Sequence, residues 1–192
     1  MSRIGKNPVA IPKGANARIQ NGTIAFKGPK GEMTVSIPPD ISAKIEGDNL
    51  VVVRADDSDA VKARHGLAQR IFRNALHGVS QGFVRELEIV GIGYRAAPQA
   101  EKIILSIGYT KPVEIPIPKG IKVKVEANTR IFLEGVDKHE LGQLAANIRG
   151  VRPPEVYQGK GIRYMGERVR KKAGKTAGAG AGAGGAAGGG AK

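Results

Sequence analysis

Shifted by 80 residues, the chain lies on itself without a gap across 46 positions, Thr23–Ala68 falling on Ile103–Ile148. The shift places Thr23-Ile-Ala-Phe-Lys-Gly28 on Ile103-Ile-Leu-Ser-Ile-Gly108, Val35-Ser-Ile-Pro38 on Ile115-Pro-Ile-Pro118, and Ile41-Ser-Ala-Lys-Ile-Glu46 on Ile121-Lys-Val-Lys-Val-Glu126. It then pairs Leu50–Val53 with Arg130–Leu133, and Val61, Arg64 and Ala68 with Leu141, Leu144 and Ile148. Whatever the first stretch folds into, the second must fold into again. The 192 residues are therefore expected as two tandem copies of one module, residues 1–82 and 83–175, divided near Gly82 and followed by a tail, 176–192. Each copy has enough Ile, Val and Leu for a modest core.

Within each copy the hydrophobic period changes in the same order. Ile24–Phe26, Met33–Ile37, Ile41–Ile45 and Leu50–Val53 are short, β-branched and punctuated by Gly, Pro, Asp and Asn, the pattern of antiparallel strands and their turns. A helical period follows. In the first copy Ser58 stands at the cap, and Val61, Leu67, Ala68, Ile71, Phe72, Ala75 and Val79 recur on one face. In the second, Asp137 with Glu140 makes a capping-box pattern, Leu141, Leu144, Ala145 and Ile148 form the stripe, and Gly150 with Pro153-Pro154 ends it. The expected fold is α+β: in each copy a small antiparallel sheet packs on one helix, giving two separate cores. Ala177–Ala191 is Gly and Ala alone, cannot bury enough apolar surface to offset ordering, and is expected as a disordered tail.

Charge is distributed as unevenly as hydrophobicity is regular. The formal net charge is +14, yet residues 32–157 hold 17 basic and 16 acidic groups. The excess sits at the ends. Residues 1–31 carry six Lys/Arg and no acid, Arg3 and Lys6 first among them, and Gln158–Lys175 carries seven Lys/Arg against Glu167 alone. Two basic ends on a neutral body form an electrostatic footprint for a polyanion, with nucleic acid the first candidate.

The second basic end, Pro153–Lys175, reads PPEVYQGKGIRYMGERVRKKAGK. Gly159 and Gly161 allow positive φ and close approach of backbone N–H groups to an anion, while Lys160 between them supplies charge. Tyr157 and Tyr164 flank this turn, where a ring either stacks on a base or sugar or packs the loop onto its module. Phe26, Phe72 and Phe132 fall in strand or helix registers and are expected in the core.

Other function classes find little support. Zero cysteine removes disulfides, thiolate metal sites and cysteine nucleophiles, and fits a reducing compartment. The start Met-Ser-Arg-Ile-Gly-Lys lacks a secretory apolar stretch, and no apolar run is long enough to span a bilayer, so no membrane partner is expected. Gly91-Ile-Gly-Tyr-Arg-Ala96 fits the dinucleotide pattern G-x-G-x-x-A, but Pro98 and the strand-like Ile103–Ile107 follow where that motif needs a helix. Gly174-Lys-Thr176 ends like a P-loop, yet Val169 stands where its first glycine belongs. His65, His77 and His139 have no spaced metal partner and read as surface or boundary residues. No enzyme, cofactor, metal or small-molecule substrate is expected. A basic RNA-binding module remains the nearest class, although helix-turn-helix, zinc and RNP-type aromatic patterns are all missing.

Four stretches together carry a resemblance: Met1-Ser-Arg-Ile-Gly-Lys-Asn-Pro-Val-Ala-Ile-Pro12, Lys27-Gly-Pro-Lys-Gly-Glu32, Val90-Gly-Ile-Gly-Tyr-Arg-Ala96 and Pro154-Glu-Val-Tyr-Gln-Gly-Lys-Gly-Ile162. In content and order, from residue 1 to about 175, the chain resembles the bacterial L six family of large-subunit ribosomal proteins. The resemblance implies a cytoplasmic, structural component of the large ribosomal subunit, with 23S ribosomal RNA and neighbouring large-subunit proteins as partners. It places the protein near the base of the stalk and the elongation-factor binding region, gripping RNA chiefly through the second module. On the family pattern the main contact is the loop Tyr157, Gln158, Gly159, Lys160, Gly161, Arg163 and Tyr164, continued by Arg168, Arg170, Lys171, Lys172 and Lys175. Gln158 stands where the family usually has lysine, so one phosphate contact is missing or passes to a neighbour.

Overall fold

The computed structural model describes residues 4–172 and 174; Arg3, Lys175 and the expected tail 176–192 lie outside the described residues. The first half runs β1 (Val9–Ala10), β2 (Asn16–Gln20), β3 (Thr23–Gly28), β4 (Gly31–Ser36), β5 (Ile41–Glu46), β6 (Asn49–Arg54) and the helix α1 (Asp59–Ser80). All its strand pairs are antiparallel, and they form two three-stranded sheets, β1-β6-β5 and β2-β3-β4. Alternation does what the sequence pattern requires: Ile24 and Phe26 of β3 and Leu50 and Val52 of β6 point inward, onto Ala68, Phe72 and Val79 of α1.

The second half repeats the plan with β7 (Phe83–Val90), β8 (Arg95–Pro98), β9 (Lys102–Ser106), β10 (Val113–Pro116), β11 (Ile121–Glu126), β12 (Arg130–Gly135) and α2 (Lys138–Val151), then adds β13 (Gly161–Tyr164). Its sheets are β10-β9-β8 and the four-stranded β11-β12-β7-β13. Leu141, Leu144, Ala145 and Ile148 of α2 close a second core on Leu87, Ile103, Ile131 and Leu133. Among the described residues no strand of one half pairs with a strand of the other. Each copy thus has one helix on two small sheets where the sequence suggested one sheet.

The register of the repeat is less uniform than a constant shift of 80 implies. Val35 faces Ile24 across β4–β3, whereas Ile115 faces Ile103 across β10–β9, so β3 and β9 correspond with a shift of 79. Ile41 faces Arg54, and Ile121 faces Gly135, so β6 and β12 correspond with a shift of 81. A one-residue slip turns every side chain to the other face, and burial follows the true register: Ile103 and Leu105 are inside, as Ile24 and Phe26 are.

Three core expectations are corrected. Leu67 is 55% exposed, because the buried face of α1 is centred on Val61, His65, Ala68 and Phe72 and leaves Leu67 on its flank. His65, read from sequence as a surface or boundary residue, is buried at 4% exposure, with Nε2 3.0 Å from the carbonyl oxygen of Val52. Phe132 is only half-buried, on the β12 face opposite Ile131 and Leu133.

The halves meet where α1 ends. Gly78 packs its backbone against the Val136 carbonyl so closely that a side chain there has no room, and Val136 itself lies on the first core. Lys30 N–H donates to the Val79 carbonyl at 3.0 Å, and the His77 ring stacks on Phe83 with centroids 4.9 Å apart.

Candidate nucleic-acid interface

The basic end of the chain is shaped by how α2 starts and stops. Asp137 caps the helix by accepting from the His139 N–H at 2.7 Å. At the other end Arg152 leaves helical geometry and Pro153-Pro154 have no N–H to continue the ladder. The chain then closes a loop, the Glu155 N–H donating to the Lys160 carbonyl at 2.8 Å, with Gly159 at φ +78°. Gly161 follows at φ +139° and is buried; a methyl group built on it would come within 2.5 Å of the Pro153 carbonyl oxygen. Its missing side chain is taken up by the chain's own backbone. Of the stretch Tyr157–Tyr164, the second half is strand β13, with Gly161 opposite Val90 and Arg163 opposite Glu88 of β7.

That register determines which charges are spent. Arg163 donates through Nε and Nη2 to Glu88 Oε2 at 3.0 and 2.9 Å. Arg149 holds Glu167 with two bonds, Nε to Oε2 at 3.0 Å and Nη2 to Oε1 at 2.5 Å, and the Tyr164 N–H donates to the same carboxylate at 3.0 Å. The Arg149 hydrogen bond first, then the Tyr164 amide, hold the Glu167 carboxyl below the usual carboxylate range, and the same pair raises Arg149. Arg149 also sits over the Tyr164 ring, 5.7 Å from its centroid. Tyr164 therefore packs against the second core.

What this leaves facing solvent is cationic apart from Glu155. Arg168, Arg170, Lys171 and Lys172 are exposed, and the segment is tied beside the loop by the Lys172 N–H donating to the Val156 carbonyl at 2.8 Å. The stem of Lys171 covers buried Gly159, its Cε 3.3 Å from where a side chain would begin. Tyr157, 54% exposed, and Gln158 form the outer edge, and Lys160 is half-buried. The structure thus brings Tyr157, Gln158, Gly159, Lys160 and the basic segment to one end of the second module. Lys6 is elsewhere: it follows Gly5, which is packed against His65 of α1, and belongs to the first module.

Sequence reasoning missed one feature of this end. The Arg152 guanidinium lies between two tyrosine rings, 5.2 Å from the Tyr94 centroid and 5.4 Å from that of Tyr109, and its Nη1 donates to the Ile107 carbonyl at 2.6 Å. The Tyr109 hydroxyl donates to the Val151 carbonyl at 2.9 Å. This cluster fixes the 91–94 and 107–112 turns beside the basic loop. The only sequence signal was the glycine pair around Ile92, which the structure places in a turn between β7 and β8, strands of two different sheets, and not before a helix.

Comparison with known proteins agrees with this architecture. The family profile described as Ribosomal protein L6 matches residues 11–82 and 90–165, one match on each half. Proteins named large ribosomal subunit protein uL6 from Synechococcus sp. (strain JA-3-3Ab) and Synechocystis sp. (strain ATCC 27184 / PCC 6803 / Kazusa) are each 51% identical over 175 residues, covering 91% of this chain and 97% and 98% of theirs. The uL6 protein of Listeria monocytogenes serotype 4a (strain HCC23) is 48% identical over 175 residues, covering 91% of this chain and 98% of its own. With both repeats matched and half the residues identical along nearly the whole of these relatives, the chain belongs to the ribosomal protein L6 family, a structural and non-enzymatic one.

Proposed function

We propose that this protein is a structural component of the large ribosomal subunit that binds 23S ribosomal RNA through the β13 end of its second module, near the base of the stalk and the elongation-factor binding region. The observation that carries the RNA reading is the asymmetry of charge pairing: Glu88 and Glu167 are each committed to an arginine, while Arg168, Arg170, Lys171 and Lys172 remain exposed along the Tyr157–Lys160 loop. Such a surface grips phosphates. Folded ribosomal RNA is largely A-form, with a deep major groove that side chains cannot read and a wide, shallow minor groove, so recognition rests on phosphate position and shape with little base readout. Tyr157, Gln158 and Lys160 supply the contacts at the loop, Gly159 and Gly161 hold its backbone, and Lys175 and Arg3 extend the basic ends. Location near the stalk base rests on family membership.

The test is sedimentation of tagged full-length protein from a cell lysate. Cofractionation with large subunits after a high-salt wash is expected; recovery as free protein would overturn the ribosomal reading in favour of an independent RNA-binding module. Chemical footprinting of the protein on 23S ribosomal RNA then locates the contact.

A further inference from the structure

We infer that Ile92 is an RNA contact, an aliphatic knob that seats against the sugar surface of the minor groove beside the phosphate-gripping loop. Ile92 is 93% exposed, far more than any other large apolar residue among those described. The turn beneath it is tightly packed. The Tyr94 ring fills the space next to Gly91, where a methyl group would come within 2.5 Å of it, and the same ring lies 3.1 Å from the corresponding position on Gly108, with Arg152 Nη1 at 2.9 Å. The turn that carries Ile92 is thus braced by the Tyr94–Arg152–Tyr109 stack, and a bare isoleucine is presented on a fixed base.

Its position points to the occupant. Val90, at the end of β7, faces Gly161, at the start of β13, so the 91–94 turn leaves the sheet where the Tyr157–Lys160 loop enters it. Arg152 ties the two together, its carbonyl accepting from Ile162 N–H at 2.8 Å. The segments that converge here, 91–95, 108–112 and 152–160, carry Arg95, Lys111, Arg152 and Lys160 against Glu155. Arg95 and Lys111 are exposed and have no carboxylate partner among the described residues. An apolar knob with a cationic surround suits a polyanion whose accessible face between phosphates is made of ribose, which is the minor groove of an A-form helix. A protein surface able to receive Ile92 would also have to neutralise that surround.

The inference rests on the RNA-binding reading above and is tested so that the two can fail separately. Full-length protein and its Ile92→Ser, Ile92→Val and Arg168→Gln/Arg170→Gln/Lys171→Gln/Lys172→Gln variants are titrated with transcribed 23S ribosomal RNA at several salt concentrations, with hydroxyl-radical footprints of each complex. Ile92→Ser is expected to melt like the parent, to bind roughly five- to tenfold more weakly, and to keep the salt slope unchanged, because apolar burial is lost and no phosphate contact is. Ile92→Val should recover most of the affinity, and Ile92→Ser should lose one patch of sugar protection. If Ile92→Ser binds within about twofold of the parent with an intact footprint while the four-glutamine variant is weakened, the inference is overturned and RNA binding stands, leaving the knob to a protein neighbour. If the four-glutamine variant also binds like the parent, the RNA reading itself fails and the inference with it.

Discussion

The two halves share a plan and differ in where the helix stops. β5, β6 and β1 of the first correspond to β11, β12 and β7 of the second, and β2-β3-β4 correspond to β8-β9-β10. α1 runs 22 residues, however, and α2 only 14. Beyond the position of Ile71 the first helix continues inward with Phe72, Ala75, Leu76 and Val79, all buried. In the second half the position of Phe72 is Arg152, two prolines follow, and the chain left over becomes the Tyr157–Lys160 loop and β13. A shared plan thus yields a longer buried helix in one copy and, beside its own core, a basic, loop-bearing end in the other. The difference shows that the candidate interface is an addition to the module and not part of its repeated framework.

If that is so, the addition should come loose without the framework. Gly161→Val carries the largest expected effect: the branched side chain would collide with the Pro153 carbonyl at a backbone angle that L residues avoid, costing about 3 kcal/mol or more. Hydrogen exchange should show β13 and the end of α2 losing protection while α1 keeps its own. Equal loss in both halves would mean that β13 belongs to a shared framework.

The Arg149–Glu167 tie comes next. Glu167→Gln should destabilise the second half by about 1–3 kcal/mol, read by denaturant unfolding. Because the folded-state pKa of Glu167 is lowered, its contribution is complete above the ordinary carboxylate range. It is lost as pH falls through the lowered folded value, and the variant should not show that loss. Of comparable size in a different measurement, Lys160→Ala should weaken RNA binding by about 1.5–3 kcal/mol without changing the melting temperature. An unaltered affinity would remove Lys160 from the interface. The smallest effect is expected in the first half, where Leu67→Ala should change stability by less than about 0.5 kcal/mol, since Leu67 sits on the flank of α1.

Much of this architecture is legible in the sequence, and the failures have local causes. The strands bounded by Gly, Pro and Asn and the helix stripes Leu141, Leu144 and Ile148 are where periodicity places them. The register slips are not, because Ile103-Ile-Leu105 and Leu50-Val-Val-Val53 are continuous apolar runs in which neither face is marked by a polar residue. His65 misleads because a histidine with a backbone carbonyl within reach can be buried, and that carbonyl, on Val52, is remote in sequence. At the interface, the glycines and the cation run are plain to read. That Arg163 is committed to Glu88, and that Pro153 occupies the space beside Gly161, depends on β13 pairing with β7, which no local pattern announces.

The central claim, that the second half carries the RNA contact, is tested most directly by comparing salt slopes for two charge-matched variants of the full chain. One replaces Arg168, Arg170, Lys171 and Lys172 with glutamine, and the other replaces the exposed Lys13, Arg18, Lys44 and Arg70 of the first half. With about 0.7–0.9 of slope per phosphate neutralised, the first variant should flatten the dependence of log affinity for 23S ribosomal RNA on log salt by roughly 3, and the second should leave it unchanged. Equal flattening by both, or none by the first, would contradict the account.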